Sequence, residues 1–266
     1  IFMIKKITTF EGFIEPLTLD DFFNHYYQKK HFVIKADENR FKNVYQWEDF
    51  NQYLNGYPRN VGDLQIIDYD NKGHKYCYDK FKKGIKSDGH KQSYLSKKQV
   101  FDLWKAGKSF ILPLQEYQKK ELVDICSACE MHYGSGQANL YCSPVADSKS
   151  FPSHADSTDN YLVHVEGKVK WTLYNEFGTG GHPSKNAGGG VSQKEWDREM
   201  TIMNQYELEA GDLLYIPKYQ YHEAVAMGPR ISISIHFHDK KQGQPQKYGA
   251  LREKWYDWTF WNKKRF

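Results

Sequence analysis

The stretch 151-FPSHADSTDNYLVHVEGKVKWTLY-174 places His154 and Asp156 two residues apart, ahead of an apolar run interrupted by Gly167. Side chains two apart on an extended chain share a face, so an imidazole and a carboxylate at this spacing can reach one point. The run that follows has the β-branched and aromatic content of two strands joined at Gly167. Alone, the pair says little, because a chain with 11 His and many Asp contains such a spacing by chance. A third candidate ligand lies in 211-GDLLYIPKYQYHEAV-225, where a Gly-Asp turn leads into an apolar strand and His222 opens the next one. Two His and one carboxylate on neighbouring strands form a facial triad for non-haem Fe(II), with the remaining coordination positions open.

Outward from these motifs, the chain reads as α+β. From about residue 137, ANLYCSP, NYLVHVEG, KVKWTLY, GDLLYIP, HEAVAM and RISISIHFH are short strand candidates separated by Gly, Asp and Pro turns. They predict a double-stranded β-helix, a jelly-roll or cupin-like barrel, with N-terminal helices packed on it. Helices are expected at 18–30, followed by a strand in HFVIKA, and then at 46–56, 96–107 and 115–134. A hairpin is expected around Asn71-Lys72-Gly73. The chain thus divides into 1–136, which completes the barrel, 137–240, the barrel core, and 241–266, a basic-aromatic tail. The tail either packs on its own barrel or makes a dimer contact, so a monomer and a homodimer both stay open. The Gly-rich 175–193 is expected to form a loop at the barrel mouth.

An aromatic fraction of 16% favours strands and a large packed interior, and 266 residues suffice for a single core. A net charge of +4 is compatible with an anionic ligand but does not indicate nucleic acid. The four cysteines are too few for a disulfide scaffold, and the CxxC of Cys126 and Cys129 reads as small residues buried by a helix. No run of about 18 apolar residues suggests a membrane span, and IFMIKK lacks the apolar core of a secretory signal. A reducing cytoplasmic setting is the expectation.

The combined pattern, HxD, then YLVHVEGKVKWTLY, then GDLLYIPxxxxH, resembles the JmjC-type oxygenases, closest to their ribosomal-oxygenase branch. Residues 20–36 resemble that branch's first helix and strand, and 137-QANLYCSP-144 the strand before HxD. The likeness covers roughly residues 15–238, and the branch's winged-helix domain has no counterpart in the segment that follows. It implies His154, Asp156 and His222 as ligands of Fe(II), with 2-oxoglutarate and O2 as co-substrates. Oxidative decarboxylation then yields succinate, CO2 and an oxidant that removes hydrogen from the substrate. Asp156 favours hydroxylation or demethylation, since related halogenases replace this carboxylate with a small residue.

In the family a Lys or Arg after the Gly turn pairs with the distal carboxylate of 2-oxoglutarate. Here that position is Val169, and alternation turns Lys168 and Lys170 away from the site. Arg230 takes over the role on this reading, with Ser232 beside it, because Arg-Ile-Ser resembles the Arg-x-Ser clamp of other 2-oxoglutarate oxygenases. Arg230, Ser232, Ser234, His236 and His238 share one face of their strand. Asn160, Asn139 and Tyr141 are further candidates to line the co-substrate pocket, whereas His164, His236 and His238 read first as satisfied barrel residues. Two alternatives stand beside the oxygenase: a cupin-type metalloenzyme that does not use 2-oxoglutarate, and a non-catalytic protein with a degenerate pocket. The substrate, whether protein, peptide or small molecule, is not legible.

Overall fold

The computed structural model describes residues 6–56, 64–70, 73–76, 82–87, 90–178 and 200–239. Thr9 caps α1 (Phe10–Ile14), its hydroxyl accepting from the Gly12 amide. Thr18 caps α2 (Leu19–Asp21), which runs into a π-helical turn over Phe22–Tyr26 and then into β1 (Phe32–Ile34). Helix α3 (Trp47–Gly56) precedes an antiparallel pair, β2 (Gln65–Asp70) and β3 (Gly73–Tyr76). A second pair, β4 (Lys82–Ser87) and β5 (His90–Leu95), was not expected from the sequence. Then come α4 (Lys97–Lys105) and β6 (Ser109–Leu112).

The helix expected over 115–134 is two pieces. A 3-10 turn covers Gln115–Tyr117, and α5 starts afresh at Lys120–Glu130 because Lys119 is extended. The break has a cause: the buried Glu116 carboxylate accepts the Ala138 amide, tying the turn to the neighbouring strand. Helix α5 buries Cys126 and Cys129 as free thiols, in line with their reading as packing residues.

The remaining strands are β7 (Gly136–Ser143), β8 (Asp159–Glu166), β9 (Lys168–Phe177), β10 (Ile202–Glu209), β11 (Leu213–Ile216), β12 (Gln220–Ala226) and β13 (Arg230–Phe237). Among the described residues they join the earlier strands in an eight-stranded sheet, β1-β11-β8-β13-β7-β6-β2-β3, and a three-stranded sheet, β10-β9-β12. This is the double-stranded β-helix the strand pattern predicts, with N-terminal β1, β2, β3 and β6 extending its larger sheet. Of the Gly-rich 175–193 expected as a loop, residues 175–177 instead continue β9, while 179–193 and the tail beyond residue 239 lie outside the described residues.

Alternation on β13 decides which sheet face holds the core and which holds the site. Ile231, Ile233, Ile235 and Phe237 enter the core with Leu140, Tyr161, Val163 and Tyr215. Arg230, Ser232, Ser234 and His236 point the other way, into the cavities at the barrel mouth. The aromatic excess is used in this core: Phe22 packs edge-on against Phe10, Phe32 and Tyr215, and Tyr133 stacks on Phe237.

The Gly-Asp turn is fixed on two counts. Gly211 has φ +93, and a Cβ there would lie 2.1 Å from the Asp37 carbonyl oxygen. Asp212 is buried, and its carboxylate accepts from the amides of Glu209 and Ala36 and from Lys35 Nζ. Gly211→Ala is expected to destabilise the fold by about 1–3 kcal/mol from backbone strain alone, with the clash adding to that. Denaturant unfolding measures it; an unchanged midpoint would mean that the turn relaxes freely.

Candidate active site

His154 and Asp156 do not lie in a strand, contrary to the premise of their shared face. The segment between β7 and β8 is irregular, and His154 makes a single antiparallel bridge to His222. Two reciprocal backbone bonds close it, His154 N to His222 O at 3.0 Å and His222 N to His154 O at 2.8 Å. Asp156 is placed by its own carbonyl, which accepts the Tyr219 amide at 2.7 Å. The triad thus converges through main-chain bonds between this segment and the β11–β12 region, and strand parity is not needed.

One donor atom from each of His154, Asp156 and His222 lies within 4.8 Å of the others. The tautomers are legible from the partners. His154 Nδ1 stands 2.9 Å from the Pro152 carbonyl and His222 Nδ1 2.8 Å from the Gln220 carbonyl. A carbonyl only accepts, so both Nδ1 atoms carry hydrogen and both Nε2 lone pairs are left for the site. Those Nε2 atoms are 3.8 Å and 3.5 Å from the Asp156 carboxylate. Burial would raise the Asp156 carboxyl, but positive charge on His154, His222 and His236 outweighs it and holds the group below the ordinary carboxylate range; with the Nε2 protons absent, a bound cation would supply that charge. Two inward lone pairs and an anion form a donor set that fits a divalent cation.

Asn160 lines the cavity as expected, and its amide is already used: Nδ2 donates to Asp156 Oδ2, while Ser234 donates to Asn160 Oδ1 at 3.0 Å. This chain aims the carboxylate. Asn160→Ala is expected to weaken divalent-metal binding about 10- to 100-fold, the usual effect of losing such an outer partner, as calorimetry with Co(II) would show. Tyr141 borders both the inner cavity and a wider cleft, whereas Asn139 lines only the cleft and accepts from Gln137.

The inner cavity is lined by the triad together with Tyr141, Trp171, Arg230 and Ser232. Val169 is fully buried with Leu162, Leu173 and Leu208, while Lys168 pairs outward with Glu209. Arg230 is 2% exposed, and among the described residues no carboxylate pairs with it and its Nε has no hydrogen-bond partner. Burial pushes the guanidinium down to about 10, so it remains a cation at neutral pH.

Ser232 is engaged in a way the sequence does not show. The buried His164 donates from Nε2 to the Gly167 carbonyl at 2.9 Å, and its Nδ1 lies 2.7 Å from Ser232 Oγ. Burial, with Arg230 adding to it, pushes His164 down to about 3, so the ring is neutral and Nδ1 accepts the serine proton. His164 is thus the satisfied barrel residue expected, and it fixes Ser232 beside Arg230.

A His-Asp-His cluster at the mouth of a double-stranded β-helix, with a buried cation in the same cavity, is an arrangement that could hold one metal ion on a cupin-like fold. The JmjC domain matches residues 111–244, half of the chain, and the chain belongs to the JmjC-domain family. It is similar to a Dictyostelium discoideum protein named bifunctional lysine-specific demethylase and histidyl-hydroxylase NO66, 26% identical over 230 residues, or 84% of this chain and 41% of that one. It is also similar to ribosomal oxygenase 2 of Rattus norvegicus, 28% identical over 223 residues, or 81% of this chain and 43% of that one. The chain therefore spans less than half the length of these relatives. Among solved structures, ycfD of E. coli matches with a TM-score of 0.55 at 14% identity, covering 93% of this chain and 58% of that one. The same protein in complex with cobalt and 2-oxoglutarate, described as a ribosomal oxygenase, matches with a TM-score of 0.53 at 14% identity, covering 93% and 57%. At these identities the likeness is one of fold. Among the described residues no helix is long and apolar enough to cross a membrane.

Proposed function

We propose that this chain is an Fe(II)- and 2-oxoglutarate-dependent oxygenase that hydroxylates or demethylates a protein or peptide side chain. The observation that carries the reading is Arg230, a buried cation with no carboxylate partner among the described residues, in the same cavity as the triad. A buried unpaired guanidinium is costly, and a ligand carboxylate would offset that cost with two parallel hydrogen bonds. Support comes also from the relatives, whose names are those of hydroxylases, demethylases and oxygenases, and from the cobalt and 2-oxoglutarate held by the E. coli neighbour.

His154, Asp156 and His222 would hold the iron, and Arg230 the distal carboxylate of 2-oxoglutarate. When bound, iron and 2-oxoglutarate supply O2 activation, with succinate and CO2 as products. The protein's own contribution is orientation. The Pro152 and Gln220 carbonyls keep both Nε2 atoms turned inward, Asn160 and Ser234 aim Asp156, and the Leu162–Leu173–Leu214 wall excludes water. The wider cleft, lined by Gln137, Asn139, His236 and His238 beside the triad, would admit the substrate. Protein incubated with Fe(II), ascorbate and 2-oxoglutarate should form succinate above a His154→Ala control, and no excess over that control would contradict the reading.

A cupin-type metalloenzyme that does not use 2-oxoglutarate is the second reading, and the observation favouring it is that Val169, where the resemblance leads one to expect a basic residue, is apolar and buried. It predicts metal binding with no affinity for 2-oxoglutarate.

A further inference from the structure

The inner cavity has more unpaired donors than Arg230 alone. Trp171 is 7% exposed and its Nε1–H has no acceptor among the described residues, and the buried Ser150 hydroxyl likewise has no partner. Both residues line the cavity with Arg230 and the triad, and the Trp171 ring stands 5.8 Å from that of His222. Buried N–H and O–H groups are nearly always satisfied, and leaving one unmade costs its full desolvation. Three donors left over around one cavity therefore call for one ligand rich in acceptors.

Strand β9 gives this a specific form. Its inward face carries Val169, Trp171 and Leu173, all packed in the apolar wall. Val169 is thus closed off in the apolar wall, and the next inward residue, about 7 Å along the strand, carries an indole N–H. We propose that Trp171 is a co-substrate-binding residue, its Nε1–H donating to a carboxylate oxygen of the anion that Arg230 holds, with the Ser150 hydroxyl as a further donor. Strand β9 then keeps a hold on the anion through a neutral donor, while the charge is supplied by β13. This rests on reading the cavity as a 2-oxoglutarate site.

The test uses protein loaded with Zn(II), which is diamagnetic, and labelled with ¹⁵N at the indoles. The chain has seven Trp, and the signal missing from Trp171→Phe identifies residue 171. On titration with 2-oxoglutarate that signal should move downfield. Trp171→Phe, which keeps a ring but no N–H, should bind 2-oxoglutarate about tenfold or more weakly, the usual effect of losing a hydrogen bond to a charged group. Its ligand-free melting temperature should be unchanged or higher, because the lost N–H had no partner; a purely structural role for the N–H predicts the reverse. If the wild type binds 2-oxoglutarate while the Trp171 signal stays put, or Trp171→Phe binds equally well, the inference falls and the co-substrate reading stands. If the wild type does not bind 2-oxoglutarate, both fall. Should Trp171→Phe fail to fold, the wild-type spectrum decides, since seven unmoved indole signals would overturn the inference.

Discussion

His154→Ala and His222→Ala are each expected to lose stoichiometric Fe(II) binding and, with it, all 2-oxoglutarate turnover. Each substitution removes one of two inward Nε2 lone pairs, and two remaining groups cannot hold an open-faced ion. The fold should survive, because the bridge joining residues 154 and 222 is made by main-chain atoms that alanine retains. Metal content after gel filtration, read beside the melting curve, separates loss of the site from loss of the fold. Asp156→Ala should differ, with partial metal binding and no oxygenation. Wild-type metal content and turnover in either histidine variant would refute the triad.

Arg230→Ala should raise the apparent Michaelis constant for 2-oxoglutarate at least tenfold while leaving metal binding nearly intact. Removing one partner of a buried charge pair costs about 2–5 kcal/mol, because the other is left desolvated. Arg230→Lys should recover only part of the loss, since an ammonium lacks the planar fork. Without ligand, Arg230→Ala should not lower stability through lost pairing, because among the described residues no carboxylate answers the guanidinium. Lys168→Ala and Lys170→Ala are the controls and should do little: Lys168 pairs outward with Glu209, and Lys170 shares its parity on β9. A lysine variant that abolished 2-oxoglutarate dependence would reassign the clamp to β9.

The meeting of His154, Asp156 and His222 was legible in the sequence, but for a reason that proved incomplete. The HxD spacing suggested one face of a strand, whereas His154 and Asp156 converge through main-chain bonds to His222 and Tyr219. The β13 pattern, by contrast, transferred directly, because alternation is a property of the backbone and one face is buried in a continuous core. Strand β10 was missed because most of its residues are exposed, leaving no apolar alternation to read, and β6 because four consecutive buried residues carry no period. Long-range polar partners lay beyond any pattern. Glu116 breaks a helix by reaching Ala138, and His164 on β8 accepts a hydrogen bond from the Ser232 hydroxyl on neighbouring β13. Trp171 was legible as a strand aromatic, but its unpartnered N–H emerges only once its surroundings are assembled.

On the proposed function, one cavity binds Fe(II) and 2-oxoglutarate together. A 2-oxo acid chelated to Fe(II) through its carboxylate and keto oxygens gives a visible charge-transfer band that needs no substrate and no oxygen. Anaerobic titration of the Fe(II)-loaded protein with 2-oxoglutarate should produce this band saturably in the wild type. It should require much higher 2-oxoglutarate in Arg230→Ala, be absent in His222→Ala, and be absent with succinate in place of 2-oxoglutarate. Fe(II) bound at full occupancy with no band at any 2-oxoglutarate concentration would contradict the account and leave a metalloenzyme of another kind.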